Sequence, residues 1–174
     1  MKNWFSWLLP KNKGSLTYIE GDATKPIGTG MKYIIHCCND VGGWGAGFVL
    51  ALSRRWRVPE VKYRDWATTK NLQYSLFTLG KIQVVTVEKD IKVVNMIGQH
   101  KTGPDSQGNP PIRYVAIKQC LKKVAEHCKE TNASVHAPKF GSDLAGGDWK
   151  LIEKMIKEEL INKGIDVTIY EWVG

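Results

Sequence analysis

The chain has 174 residues, 43% of them hydrophobic and 24% charged, with a formal net charge of +8. Length and composition fit one globular domain with a real core, and exclude a disordered or collagen-like chain. No apolar run is long enough to cross a bilayer, and the excess of Lys and Arg favours anionic partners without choosing among nucleotides, nucleic acid and phosphorylated ligands.

Residues 1–15 read as an N-terminal extension, with 16–174 as a single domain. The opening MKNWFSWLLP is short, stops at Pro10 and lacks a small-residue cleavage site, so it is a poor signal peptide. Trp4, Phe5 and Trp7 are expected to lie on the domain. Residues 16–20 predict a strand ending at Gly21-Asp22-Ala23-Thr24, and 25–30 a loop punctuated by Pro26, Gly28 and Gly30.

The most informative stretch is YIIHCCNDVGGWGAGF, residues 33–48. An apolar run of buried-strand type, 33–38, gives way to Asn39, Asp40 and the glycines at 42, 43, 45 and 47, and a helix-forming segment starts at Phe48. Strand, glycine turn and helix bring backbone N–H groups and a helix N-terminus toward one anion, and the glycines let it approach the backbone. A tight turn with no ligand is the plainer alternative. No Gly-Lys-Ser/Thr follows Gly47, and the glycine spacing is not G-x-G-x-x-G, so neither nucleotide fingerprint fits.

The helix is expected to run to Trp56, and a second starts at Pro59 with Val61, Trp66 and Tyr63 inward. Residues 81–87 and 91–97, turning at Asp90, predict an antiparallel hairpin. The stretch 98–111, rich in Gly and Pro, is long enough for a flexible lid. Ile117, Cys120, Leu121, Val124 and Cys128 fall on one face of an amphipathic helix over 112–128. A strand at 134–138 leads to a second glycine turn, 139–147, and Asp148 is placed to cap a helix holding Leu151, Ile152, Met155, Ile156 and Leu160. Gly164 closes that helix and 167–172 is a last strand. The alternation implies a three-layer α/β/α domain with a mixed sheet.

Cys37, Cys38, Cys120 and Cys128 form no C-x-x-C, and the four histidines show no ligand spacing, so neither zinc nor a disulfide framework is expected. Reduced thiols suit a cytoplasmic protein. Two glycine turns at the carboxyl edge of a sheet are placed to grip a diphosphate from both sides. Asp22 then faces an exocyclic amine or caps a turn. Asn39 serves a sugar hydroxyl or its own turn. His36 is the general acid/base candidate, because its unperturbed pKa lies near neutrality, or else a satisfied core histidine. Asp40 is a weaker candidate, or a cap for the glycine loop.

Gly21-Asp22-Ala23, IIHCCNDVGGWGAGF and PKFGSDLAGGDW resemble the three ligand-contacting segments of macro domains, a likeness covering roughly residues 16–172. His36 before the paired cysteines, and the run Trp44-Gly45-Ala46-Gly47, resemble the branch of the ADP-ribose 1″-phosphate phosphatases and the terminal ADP-ribose protein glycohydrolase. The resemblance implies a monomeric ADP-ribose binder that needs no cofactor and no membrane. Asp22 would take the adenine amine beside the Ala23 N–H, and Asn39 the distal ribose. Gly45, Ala46, Gly47 and Phe48 would line one side of the diphosphate. Gly141, Ser142, Asp143, Leu144 and Ala145 would line the other, and Trp172 would pack near adenine.

Catalysis, if present, would be hydrolysis of a 1″-phosphate, acyl ester or ADP-ribosyl conjugate of protein or nucleic acid, with His36, Asn39 and Asp143 as catalytic candidates. The glycohydrolase's lysine and second-loop aspartate fall at Gln99 and Ala145 here, which removes the amine of a covalent mechanism. Asp143 stands where the family has a small residue. It would repel the diphosphate, turn outward, or act as a base toward water. A non-catalytic ADP-ribose reader and a basic nucleic-acid-binding module are the alternatives. No basic stripe interleaved with aromatics supports the latter.

Overall fold

The computed structural model describes residues 13–173. The expected docking of Trp4, Phe5 and Trp7 therefore lies outside the described residues. Six strands form one sheet: β1 (Leu16–Glu20), β2 (Lys32–Asn39), β3 (Ile82–Glu88), β4 (Ile91–Gln99), β5 (Ser134–Pro138) and β6 (Val167–Glu171). Their order is β1-β6-β5-β2-β4-β3. All neighbours are parallel except the β3–β4 hairpin at one edge. Every parallel strand therefore delivers its carboxyl end, and the loop that follows, to the same rim of the sheet.

Helices α1 (Phe48–Arg55) and α2 (Val58–Thr68) cover one face, and α3 (Tyr114–Thr131) and α4 (Trp149–Glu159) the other. Strand pleating sorts β2 between two cores. Tyr33 and Ile35 pack with α3 and α4, while Ile34 and Cys38 pack with Trp44, Leu52, Tyr63 and Phe77. This is the three-layer α/β/α arrangement with a mixed sheet. Among the described residues no helix is long and apolar enough to cross a membrane.

Helical phase corrects one inward assignment, that of Val61. In α2 it is Pro59 and Tyr63, one turn apart, that are buried. Val61 lies on the opposite face and is exposed, with Trp66 partly covered. In α4 Ile152 and Ile156 point inward, while Leu151 sits at the edge of the stripe and is exposed. Asp148 caps α4 as expected, its carboxylate accepting from Lys150 N at 2.9 Å. Just ahead of β1, Gly14 N donates to Ile161 O, and the Ser15 backbone and hydroxyl both donate to Asp166.

The stretch expected as a lid is shorter than its sequence suggests. Gly98 and Gln99 belong to β4, Gln99 bridges to Ile112, and His100 N donates to Pro111 O at 2.8 Å. Its middle closes on itself, with Asp105 Oδ1 accepting from the backbone of Gln107 and Asn109.

Candidate functional site

The loops after β2, β4 and β5 enclose a cleft of about 340 Å³ at the carboxyl rim. The first glycine loop, 40–47, is held from beneath by Asn39. Its Oδ1 accepts from Val41 N (3.1 Å), Gly43 N (2.9 Å) and the Tyr63 hydroxyl (2.9 Å), and its Nδ2 donates to Gly43 O (2.8 Å). Asn39 is thus the turn residue of the plainer reading, and it also lines the cleft. An amide nitrogen has two hydrogens, so one remains for a ligand.

Trp44 anchors the same loop by turning into the core, 4% exposed. Its indole N–H donates to the Ser53 hydroxyl, which donates to Glu60, itself paired with Arg64 at 3.0 Å. Anchored at both places, the loop leaves Gly45, Ala46 and Gly47 exposed on the cleft side. Gly47 is the N-cap of α1, with φ 79°, and no side chain caps the helix. Leu50 N donates to Gly47 O at 3.1 Å, while the Phe48 and Val49 N–H groups precede the first helical hydrogen bond, and N–H groups so placed are the ones that face an anion.

The second glycine loop faces it. Gly147 N donates to Gly141 O at 2.8 Å, closing a ring from which Asp143 and Leu144 project, both exposed and both lining the cleft. Gly141 has φ 75°, and a Cβ there would meet Ile112 Cδ1 at 2.9 Å. Ser142 uses its hydroxyl on Lys139 O (2.9 Å), so it shapes the loop. Ala145 is buried, and its carbonyl accepts from Ile112 N (3.1 Å). The two loops nearly touch: a Cβ on Gly47 would lie 3.3 Å from Leu144 Cδ1.

His36 lies at the floor of the cleft, 2% exposed. Asn95 gives both amide hydrogens away, to Pro59 O and Gln83 Oε1, so its Oδ1 must accept. The 2.6 Å contact from His36 Nε2 to that Oδ1 is therefore an N–H donation, which fixes the tautomer. Burial lowers the His36 pKa to about 4, so the imidazole is neutral at neutral pH. Trp44 packs edge-on at 5.4 Å and Phe48 lies 5.9 Å away. With the Nε2 proton committed to Asn95, the lone pair sits on Nδ1, 3.8 Å from Cys38 Sγ, and burial makes it a weak base; these surroundings fit the core-histidine reading.

Asp40 does not cap the glycine loop. It bolts the end of β2 to the loop after β4, accepting from Lys101 N (2.8 Å) and contacting His100 Nδ1 (2.7 Å). Burial pushes its carboxyl up, but these partners outweigh burial and hold it below the usual range. Cys37 and Cys38 point to opposite faces and line the cleft floor. Burial pushes the Cys37 thiol up to about 12 and Cys38 well above its ordinary value, so neither supplies a thiolate.

Sequence reasoning places Tyr63 only in the core, as an inward residue of the second helix, and does not single out Asn95, Thr102 or Lys139. Thr102 lines the cleft from the loop after β4, beside Gln99, whose Nε2 donates to Lys101 O. Lys139 is the amine that lines the cleft, and it pairs with Glu171 and lies over the Tyr18 ring at 5.7 Å. Among the described residues no group of His, Cys, Asp or Glu side chains is placed to hold a metal ion.

A second cavity, of about 300 Å³, lies along α1 and is lined by Asp22, Thr24, Lys25, Arg54, Arg55 and Trp172 with Ala51. It brings Asp22 and Trp172 together. Asp22 Oδ1 accepts from Thr24 N (2.9 Å) and the Thr24 hydroxyl (2.8 Å), so the turn-capping reading holds for that oxygen. Ala23 is buried and Trp172 is 71% exposed.

No protein-family model matches the chain. A solved Bacteroides thetaiotaomicron protein of unknown function is 54% identical, with TM-score 0.87 over 92% of this chain and 99% of that one. A macrodomain protein from Streptomyces coelicolor is 45% identical, with TM-score 0.79 over 90% of this chain and 99% of that one. Thermosipho africanus DarTG, solved in complex with ADP-ribose, shares the fold at 19% identity, with TM-score 0.69 over 93% of this chain and 44% of that one. A curated relative, the Danio rerio chromodomain-helicase-DNA-binding protein 1-like, is 30% identical over 161 residues, 90% of this chain, which spans 15% of that protein's length. Likeness to the Streptomyces protein over nearly its whole length, joined to the two facing glycine loops, places the chain: it belongs to the macrodomain family.

Proposed function

We propose that this chain binds ADP-ribose, with the diphosphate between the two glycine loops, the distal ribose over Asn39 and adenine in the second cavity beside Asp22 and Trp172. The observation that supports this most is the N-terminus of α1 at Gly47, free of a side-chain cap and opening on a cleft lined across from it by Asp143, Leu144 and Ala145. Backbone N–H groups at fixed positions suit a diphosphate, and a helix start favours its charge. The remaining Asn39 N–H suits a ribose hydroxyl.

The chemistry within the cleft favours a binder over a covalent hydrolase. Its lining offers a neutral imidazole, two protonated thiols and a lysine already paired with Glu171. None is an activated nucleophile. Hydrolysis at the distal ribose by direct attack of water is the second reading, favoured by one observation: the Asp143 carboxylate lines the cleft.

Calorimetric titration of ADP-ribose into the protein and into Gly47→Val tests the site. A valine at φ 79°, aimed at Leu144, blocks the gap between the loops. The variant is expected to lose more than about tenfold in affinity. Equal binding by both would remove the glycine cleft from the account.

A further inference from the structure

We propose that the adenosine end of the cleft holds a second anion subsite, formed by Lys25 and Arg54, that takes a phosphate monoester on the ribose next to adenine. The proposal rests on the ADP-ribose reading above and extends it to the ligand's class.

Three cations and one carboxylate, Asp22, line the second cavity. Two of the four charges are already engaged. Asp22 takes both Thr24 donors on Oδ1, and Arg55 pairs with Glu88 at 3.4 Å while its guanidinium lies 4.7 Å over the Trp56 ring. Lys25 and Arg54 make no ion pair or side-chain hydrogen bond among the described residues. A basic last turn complements a helix dipole, which suits Arg54 at the end of α1. It does not account for Lys25, which follows β1 and converges on the same cavity from another element.

The bound diphosphate does not account for Arg54 either. Seven residues of helical rise separate Gly47 from Arg54, roughly 10 Å, which is about one Debye length at 0.1 M salt. Charges that far apart in an open cleft are largely screened from one another. Adenosine chemistry supplies a closer anion. The diphosphate leaves the ribose at C5′, while a substituent at C2′ or C3′ projects beside the base. With adenine between Asp22 and Trp172, a phosphate there lies within the cavity that Lys25 and Arg54 share. Guanidinium offers it a bidentate fork and the ammonium a point charge.

The test compares ADP-ribose with ADP-ribose 2′-phosphate, and adenosine 5′-monophosphate with adenosine 2′,5′- and 3′,5′-bisphosphate, by calorimetry at two salt concentrations. The extra phosphate is expected to tighten binding by about tenfold, with a steeper salt dependence, for at least one of the two positions. In the double variant Lys25→Ala, Arg54→Ala the ratio between phosphorylated and unphosphorylated ligand is expected to fall to about one. Equal affinity of the wild-type protein for both members of each pair overturns this proposal alone. Failure of ADP-ribose and its phosphate alike overturns the functional reading and this proposal with it. A short oligoadenylate outcompeting both would assign Lys25 and Arg54 to a polynucleotide and also overturn it.

Discussion

Tyr63→Phe isolates the support under the first glycine loop. The Tyr63 hydroxyl lies 2.5 Å from Asn39 O and 2.9 Å from Asn39 Oδ1, and the residue is fully buried. Its ring packs between Trp44 at 5.3 Å and Phe77 at 5.6 Å. Phenylalanine keeps both ring contacts and the volume, so no cavity is created. What is lost is one donor shared by two acceptors. A buried neutral hydrogen bond is worth about 1 kcal/mol net, and leaving its acceptor short of a partner adds to that, so the change should cost about 1.5 kcal/mol. For a domain of this size that lowers Tm by about 3–6 °C. The loop then orders partly on ligand binding, and ADP-ribose affinity should fall by about fivefold. Thermal unfolding read beside calorimetry separates the two effects. If Tm falls but affinity holds, Tyr63 supports the core and not the loop. If neither changes, the Asn39–Tyr63 link contributes nothing and the reasoning fails.

Acid should unfold the domain through its histidines. Burial lowers the pKa of both His36 and His136 to about 4, against 6.5 in the unfolded chain. Their neutral forms favour the fold fully above pH 6.5, and stability is lost as pH falls from 6.5 toward 4, by on the order of 2–3 kcal/mol per histidine. Urea midpoints measured from pH 7.5 down to 4.5 check this, and a flat profile would contradict it. Asp143→Gly should tighten ADP-ribose by roughly threefold, because it removes a like charge beside the diphosphate at a screened, exposed position. Release of phosphate from ADP-ribose 1″-phosphate, followed in the same variant, reports on the base role: activity present in the wild type and kept in the variant would eliminate Asp143 as the base.

Much of the fold was legible because its signals are local. The strands Leu16–Glu20 and Ser134–Pro138 are short apolar-rich runs bounded by turn residues, and α3 repeats its buried positions at helical spacing. The β3–β4 hairpin follows from two adjacent runs and a turn. The interleaved order of the parallel strands was not legible, since β2 pairs with β4 and β5 across long separations. The site divides in the same way. Both glycine loops stand out in sequence because positive φ and close approach call for glycine at Gly47 and Gly141. The burial of His36 depends on Asn95, 59 residues away, and the locking of Asn39 depends on Tyr63, 24 residues away. No local pattern encodes either contact. Asp40 was misplaced for the same reason, its partners His100 and Lys101 being about 60 residues distant.

The most direct test of the central claim is competitive calorimetry of the whole chain with ADP-ribose, ADP, AMP and a short oligonucleotide. Two loops on the diphosphate, with Asn39 on the distal ribose, predict ADP-ribose tightest, ADP weaker by the loss of the ribose contact, and AMP weakest. Oligonucleotide binding that exceeds ADP-ribose and falls steeply with salt, or no binding of ADP-ribose at all, would contradict the account.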